Sequence, residues 1–254
     1  MILTVDIGNS NIVIGVFENE KLKFISRISS NIDKTADELA VMMNEIFEIR
    51  DIDRSKITGS IMSSVVPALT QNMIAAIKLL TGNEPIVVAP GIKTGLNIRI
   101  DNPAQLGSDL LVDCVAAAAM YPKPVIVADM GTATTLSVVD EGNNMLGGVI
   151  MPGVKTALNA LTAKTAQLPQ ISIESPKKVI GTNTNDSMRS GVVFGNASML
   201  DGMIERFENE LGKEAFVVVT GGLSEEISKH TKRRVVHNPD LLIQGLYILY
   251  KKNC

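Results

Sequence analysis

The chain has few of the residues from which disulfide frameworks, metal centres and aromatic surfaces are built. Its 254 residues include two cysteines, two histidines and no tryptophan, and aromatic residues make up 4%. Cys114 lies in an apolar run and Cys254 ends the chain, so a disulfide framework is excluded and a reducing compartment is favoured. His230 and His237 lack the spacing of metal ligands, and we interpret both as surface residues.

The sequence also lacks a targeting signal and an uninterrupted apolar run. Its start, MILTVDIG, has no basic segment and places Asp6 where a signal peptide would be apolar. The most apolar stretch, residues 110–130, is interrupted by charged residues and by prolines, which excludes a membrane span. We therefore expect a cytoplasmic protein that does not bind membranes.

A surplus of basic residues is absent as well. Lysine and arginine number 24 against 27 acidic residues, which gives a net charge of -3. Because nucleic-acid binding depends on neutralising phosphates with a basic surface, nucleic acid is not expected as a partner. Hydrophobic residues make up 45%, which excludes disorder for most of the chain. The mean hydropathy of +0.21 suggests additional buried apolar surface, such as a subunit interface.

Strand and helix patterns alternate twice along the chain. At roughly 150 residues per domain the length allows one large domain or two small ones. The first half predicts strands over 2–5, 12–17, 22–28, 57–66 and 85–89, and helices over 35–50, 68–80 and 108–121. The second half predicts strands over 125–128, 134–139, 145–150, 216–220 and 234–236, and helices over 186–211, 224–229 and 239–251.

An internal repeat relates the two halves. VDIGNSNIVIGVFENEKL aligns with ADMGTATTLSVVDEGNNM, so that Asp6 falls on Asp129 and Gly8 on Gly131. Later, the strand that ends at Ser63 and Ser64 corresponds to the one that ends at Thr220 and Gly221. Duplication of one α/β unit explains both matches, and two such halves would leave a cleft between them in which a ligand binds.

Two turns of this repeat carry the groups that a phosphate needs. Residues 6–11 (DIGNSN) and 129–135 (DMGTATT) each follow a strand with an acidic residue, a glycine and hydroxyl or amide donors. Glycine lets a phosphate approach the backbone, and the carboxylate can hold a metal ion. An ordinary hairpin uses similar residues, but the same arrangement twice in a duplicated chain favours phosphate binding. No P-loop sequence occurs.

Four further segments are candidates for the site. Gly221 and Gly222 follow an apolar strand and would let a base or ribose pack on bare backbone, although a simple strand-to-helix turn fits as well. Asp109, at the start of a helix, could accept a proton from a substrate hydroxyl, or it could serve only the helix dipole. Residues 147–153 and 165–169 suggest loops that line a cleft, or plain turns.

Taken in order, these segments resemble the type III pantothenate kinases over nearly the whole chain. The family belongs to the superfamily of acetate and sugar kinases, heat-shock chaperones and actin, in which two ribonuclease-H-like halves clasp ATP. The motifs are DIGNSN at 6–11, LGSD at 106–109, DMGTATT at 129–135, GGVIMPG at 147–153, TAQLP at 165–169, GTNT at 181–184 and VVVTGG at 217–222.

The resemblance implies an α/β fold of two ribonuclease-H-like halves, here residues 1–118 and 119–254. It implies ATP-dependent phosphorylation of pantothenate to 4'-phosphopantothenate, the first step of coenzyme A biosynthesis. Asp109 would then be the catalytic proton acceptor, and Thr132, Gly221 and Gly222 would contact ATP. The first phosphate-binding turn would consist of Asp6, Ile7, Gly8, Asn9, Ser10, Asn11, Ile12 and Val13.

The resemblance also implies further ligands and a partner. Gly107, Ser108 and Thr184 would line the pantothenate site. Asp129 would bind a monovalent cation, potassium or ammonium, and Asp6 is a candidate ligand for magnesium. The family is dimeric, and the second halves would pair. Apolar residues of the long helix are candidates for that interface: Met188, Val192, Phe194, Met199, Leu200 and Met203.

Two departures from the family pattern lie on the acceptor side. Leu110 stands where the family usually has arginine after the catalytic aspartate, and Ile100 stands where members often have tyrosine. Leucine supplies no charge to hold an acceptor carboxylate. Two alternatives therefore remain open: a related kinase with another small hydroxy-acid acceptor, and a nucleotide-binding accessory protein without catalysis.

Overall fold

The computed structural model describes residues 1–254 and contains eleven strands and seven α-helices. The strands are β1 Ile2–Ile7, β2 Asn11–Glu18, β3 Lys21–Ser29, β4 Gly59–Ser64, β5 Ile86–Val87, β6 Asn97–Ile98, β7 Val125–Met130, β8 Ala133–Val139, β9 Asn144–Pro152, β10 Phe216–Thr220 and β11 Val236–His237. The helices are α1 Ala36–Ile49, α2 Pro67–Thr81, α3 Ser108–Met120, α4 Val154–Lys164, α5 Thr184–Leu211, α6 Ser224–Ser228 and α7 Leu241–Asn253.

The chain forms two compact units. The first contains residues 1–96, 100–119 and 241–254, and the second contains residues 97–99 and 120–240. This division differs from the predicted boundary between 118 and 119 at two places. Helix α7 belongs to the first unit, where Gly245 packs on Val112 of α3, and the short strand β6 belongs to the second, where it pairs with β9.

The two sheets have the same strand order. The first runs β3-β2-β1-β4-β5 and the second runs β9-β8-β7-β10-β11, with β6 added beside β9. In each, three antiparallel strands are followed by a strand that returns parallel to the first of them. This shared topology confirms the predicted α/β fold of two ribonuclease-H-like halves.

Each unit has its own apolar core. In the first, Leu3, Ile14 and Leu69 are among the fully buried side chains between the sheet and α1 and α2. In the second, Ile126, Leu136 and other buried residues pack against α5. Local signals fix the helix ends: Thr35 and Glu38 form a capping box at the start of α1, and α5 ends at Gly212 with φ 70°.

The structure corrects several details of the predicted elements. Residues 147–152 belong to strand β9, not to a loop, because they pair with β8. The last predicted strand lies at Val236–His237, where it pairs with β10. Helix α4 and strand β6 were not predicted. No helix combines the length and the apolar character that crossing a bilayer requires.

Some residues predicted at surfaces lie inside the second unit. Leu200 is fully buried in its core, so it is wrong as a candidate for a subunit interface, and Met188 is buried as well, at 8% exposed. Val192, Phe194, Met199 and Met203 also pack against that core.

Both histidines are half-buried. The ring of His230 meets Phe194 edge-on, and its Nε2 lies 2.5 Å from the Ser175 hydroxyl. His230 therefore packs against a neighbouring helix and loop while part of its surface stays exposed.

We predict that Gly245→Ala destabilises the protein by about 1–3 kcal/mol. A Cβ at this position would lie 2.4 Å from the backbone oxygen of Val112, so α7 would have to move away from α3. Gly202→Ala in α5 is the matched control, because its Cβ would meet nothing within 4 Å and alanine favours the helix. Urea unfolding measures both, and equal stability of the two variants would contradict the close packing.

Candidate active site

The first predicted turn connects β1 to β2. Asp6, at the end of β1, is 7% exposed, and its Oδ1 accepts a 2.7 Å hydrogen bond from the hydroxyl of Ser63. The turn closes with a 3.0 Å bond from the Gly8 amide to the Asn11 carbonyl, and the Ser30 hydroxyl donates to the Gly8 carbonyl. The turn therefore places a buried carboxylate beside exposed backbone.

The eight residues predicted for this turn differ in how much of each side chain is exposed. Asn9, Ser10 and Asn11 are exposed, whereas the side chains of Ile7 and Ile12 are fully buried in the core. Ile7 pairs with Ile12 across the two strands. These two isoleucines can therefore offer a ligand only their backbone, while the polar residues between them can offer side chains. Val13 is half-buried.

The second turn connects β7 to β8 and is supported from behind by α4. Gly131 and Thr132 are exposed, and the Thr132 carbonyl accepts a 2.7 Å hydrogen bond from the hydroxyl of Thr156. The amide of Gly153, at the helix start, also donates to this carbonyl, at 3.2 Å. A Cβ at Gly153 would lie 2.4 Å from the backbone oxygens of both turn residues, so only glycine fits here.

Gly221 packs directly on the acidic residue of the second turn. Its φ is +95°, and a Cβ there would lie 2.5 Å from Oδ1 of Asp129. Its carbonyl accepts a 2.6 Å bond from the Ser224 hydroxyl at the start of α6. Gly222 is exposed with open space around it. The paired glycines thus serve different purposes. The first permits a close approach to Asp129, and the second leaves its backbone accessible to a ligand.

Asp109 is the second residue of α3 in the first unit and is half-buried. Its Oδ1 accepts a 2.8 Å hydrogen bond from the Leu110 amide, and a Cβ at Gly107 would lie 2.5 Å from the same oxygen. The hydroxyl of Ser108 donates to the Ser64 carbonyl at 3.1 Å. This arrangement fixes the carboxylate near the helix start. Leu110 and Ile100 are both half-buried.

A cavity of about 730 Å³ lies within the second unit, between α4 and the start of α5. Its wall includes Thr184, the predicted acceptor-site residue, and Leu168 of the TAQLP segment. Asn183 caps α5 by accepting a 2.9 Å hydrogen bond from the Asp186 amide. Sequence patterns did not indicate the α4 side of this cavity, which Val154, Leu158 and Leu161 form.

The acidic groups of the candidate site are suited to a magnesium ion that is bound jointly by protein and nucleotide phosphates. No group of three or more His, Cys, Asp or Glu side chains comes together as a metal cluster. Mg²⁺ commonly uses only one or two carboxylates plus substrate phosphates and water. A single buried carboxylate, Asp6, beside an exposed glycine turn is consistent with that pattern.

Comparison with known proteins decides the family. A sequence model of the type III pantothenate kinases matches residues 2–206. The chain belongs to the type III pantothenate kinase family. Type III pantothenate kinases from Moorella thermoacetica and Halalkalibacterium halodurans are 39% and 40% identical to it, and each match covers 100% of both chains. The family predicted from the motif series is therefore confirmed, and the chain is a phosphotransferase that uses ATP.

Solved structures support the fold. A Campylobacter jejuni protein described as a Baf family transcriptional activator matches with a TM-score of 0.59 at 18% identity, covering 99% of this chain and 98% of that one. Component A of the Acidaminococcus fermentans (R)-2-hydroxyglutaryl-CoA dehydratase gives 0.57 at 14% identity, covering 98% and 96%. A polyphosphate/ATP-glucomannokinase from Arthrobacter gives 0.51 at 15% identity, covering 97% and 96%.

We predict that Gly221→Ala destabilises this kinase by about 1–3 kcal/mol, since a non-glycine residue at positive φ is strained and its Cβ would displace Asp129. Gly222→Ala is the matched control, because the neighbouring position has open space and no positive φ. Thermal unfolding monitored by circular dichroism compares the two. A Gly221 variant as stable as the Gly222 variant would show that the close approach is not needed.

Proposed function

We propose that this kinase transfers the γ-phosphoryl group of ATP to the primary hydroxyl of pantothenate, forming 4'-phosphopantothenate, the first step of coenzyme A biosynthesis. The observation that carries the proposal is the fixed carboxylate of Asp109 at the start of α3, in a chain of this family. Phosphoryl transfer needs positioning and charge neutralisation more than covalent chemistry. The two glycine turns and the carboxylates supply groups of those kinds.

Asp109 accepts the proton of the acceptor hydroxyl in this proposal. A carboxylate in that role must be held in one orientation while one of its oxygens remains within reach of the substrate. Oδ1 accepts from the Leu110 amide, and Gly107 leaves the space that the carboxylate occupies. Ser108, anchored to Ser64, keeps the first turn of the helix in place. Gly107 and Ser108 thereby contribute to the acceptor site.

ATP binding is assigned to both glycine turns. Backbone amides and polar side chains from Asp6 to Val13 bind phosphate oxygens, while Thr132 contacts ATP from the second turn. Gly221 and Gly222 offer backbone on which the base or ribose packs. Asp6 is the proposed ligand of Mg²⁺, which when bound neutralises phosphate charge. These contacts replace the lysine of a P-loop, which this sequence lacks.

Asp129 is assigned to a monovalent cation, potassium or ammonium. Its carboxylate is half-buried at the end of β7, against the backbone of Gly221. Carboxylate and backbone oxygens suit a hard cation, and a cation at this place would keep Asp129 ionised. Activity that depends on added potassium or ammonium supports this assignment, whereas equal activity in sodium alone contradicts it.

Thr184, in the wall of the second-unit cavity, is assigned to acceptor binding, and the protein is assigned to a cytoplasmic homodimer. The cavity is large enough for a small hydroxy acid. The second unit also exposes apolar side chains near it, Leu161, Val179 and Ile180. Covering them is a reason for two chains to pair through their second units. Size-exclusion chromatography that gives a monomer mass would contradict the dimer.

A related kinase with a different small hydroxy-acid acceptor is the second candidate. Leu110 and Ile100 favour it, because neither supplies the polar group usual at these positions. Purified protein with ATP, magnesium and potassium is expected to release ADP in proportion to added pantothenate. A screen of other hydroxy acids separates the candidates. If another acid clearly exceeds pantothenate in kcat/KM, the second candidate replaces the first.

We predict that Asp109→Asn lowers kcat by several orders of magnitude while ATP binding is unchanged. Asparagine keeps the shape of the side chain but cannot accept the proton. A coupled ADP assay measures turnover and calorimetry measures binding. Asp101→Asn, an exposed aspartate of the same unit, is the control and is expected to behave as the unaltered chain. A near-normal rate for Asp109→Asn would remove this residue from the proton-accepting role.

A further inference from the structure

Ser63 is a polar residue of the site for which no motif assigns a function. It lies one residue before the end of β4, is fully buried, and pairs directly with Asp6 of β1 in the parallel register. Its hydroxyl donates a 2.7 Å hydrogen bond to Oδ1 of Asp6. Because directly paired residues of neighbouring strands point to the same face, this contact follows from the sheet itself.

The hydrogen bond selects the orientation of the Asp6 carboxylate. A bond to an ionised acceptor is about twice as strong as one between neutral groups, so it restricts rotation of the side chain. With Oδ1 held by Ser63, Oδ2 lies on the side of the phosphate turn, 3.9 Å from the position that a Cβ of Gly8 would occupy. One oxygen is thus anchored in the sheet and the other is directed toward the turn.

The second unit repeats the strand pairing. Thr220 is the corresponding residue of β10; it is 4% exposed and pairs in parallel with Asp129 of β7. Both sheets therefore place a buried hydroxyl residue beside the aspartate at the end of the first strand. Serine and threonine share only the hydroxyl group, which indicates that the hydroxyl is the feature kept by both copies.

We infer that Ser63 is a positioning residue that holds Asp6 so that Oδ2 meets the Mg²⁺ of bound Mg-ATP. This inference rests on the proposed assignment of Asp6 to magnesium. Groups that orient a metal-binding carboxylate from behind typically change metal affinity 10- to 100-fold when removed. Ser63 acts through Asp6 and does not itself touch the nucleotide.

The same strand end also supports the start of α3, so a test must separate the two effects. The carbonyl of Ser64, the next residue, accepts the 3.1 Å hydrogen bond from Ser108 beside Asp109. A substitution that simply displaced the end of β4 would disturb the acceptor side as well. Loss of the Ser63 hydroxyl alone would weaken magnesium-dependent binding and leave the KM for the acceptor unchanged.

The experiment is a magnesium titration of nucleotide binding, measured by calorimetry with a non-hydrolysable ATP analogue. Ser63→Ala is expected to raise the Mg²⁺ concentration for half-maximal binding about tenfold, with binding in the absence of Mg²⁺ unchanged. Ser63→Thr, which keeps a hydroxyl, is expected to restore the normal value. Ser60→Ala is the matched control, because this serine of the same strand is buried and its hydroxyl has no partner.

Three results would overturn the inference, and the first two are a normal Mg²⁺ requirement in Ser63→Ala and an equal loss in Ser60→Ala. The third is a loss of nucleotide affinity in Ser63→Ala that is equally large with and without Mg²⁺, since the substitution would then act on the fold of the turn. Because the readout is binding, the inference is independent of the acceptor. Failure to phosphorylate pantothenate would overturn the proposed function and leave a magnesium effect of Ser63 standing.

Discussion

The parallel strand beside the first strand of each sheet is the constraint on which the candidate site residues of each unit depend. β4 lies against β1 and β10 lies against β7 in matching register. The ends of these strands bring Ser63 to Asp6, and Gly221 to Asp129. In a parallel pair the carboxyl ends meet at one edge of the sheet, so the acidic residues gain their neighbours there without special loops.

Backbone contacts at the ends of these strands hold the neighbouring elements. Ser64 offers its carbonyl to Ser108 and so ties the end of β4 to the helix that carries Asp109. Gly221 takes a positive φ and approaches Asp129 more closely than any side chain would allow. Gly153, whose φ is -63°, also approaches the backbone of the second turn closely, from the side of α4. The polar edge of each sheet is therefore supported by backbone contacts.

The sequence predicts the parts of this structure that depend on local patterns. The alternation of apolar residues, together with the turn residues after Ile7 and Glu18, is sufficient to predict the first three strands. The internal repeat extends this prediction to the first three strands of the second sheet. Helix α4 was missed because Gly153 caps its start without a side-chain hydrogen bond. Strand β6 is two residues long. The packing of α7 on the first unit depends on contacts between residues distant in the sequence.

For the candidate site, residue types were easier to predict than contacts. Asp6 and Asp129 stand out because they fall at matching places in the duplicated sequence, and Gly221 stands out because it follows an apolar strand together with a second glycine. The sequence indicates Ser63 only as part of a strand end, because its partner Asp6 lies 57 residues away.

The most direct test of the account is to identify the product by mass spectrometry after incubation of the purified chain with ATP, magnesium, potassium and pantothenate. The account predicts pantothenate carrying one added phosphate, with one ADP formed for each molecule. ADP and free phosphate beside unchanged pantothenate, or no reaction by a folded protein that binds ATP, would contradict it.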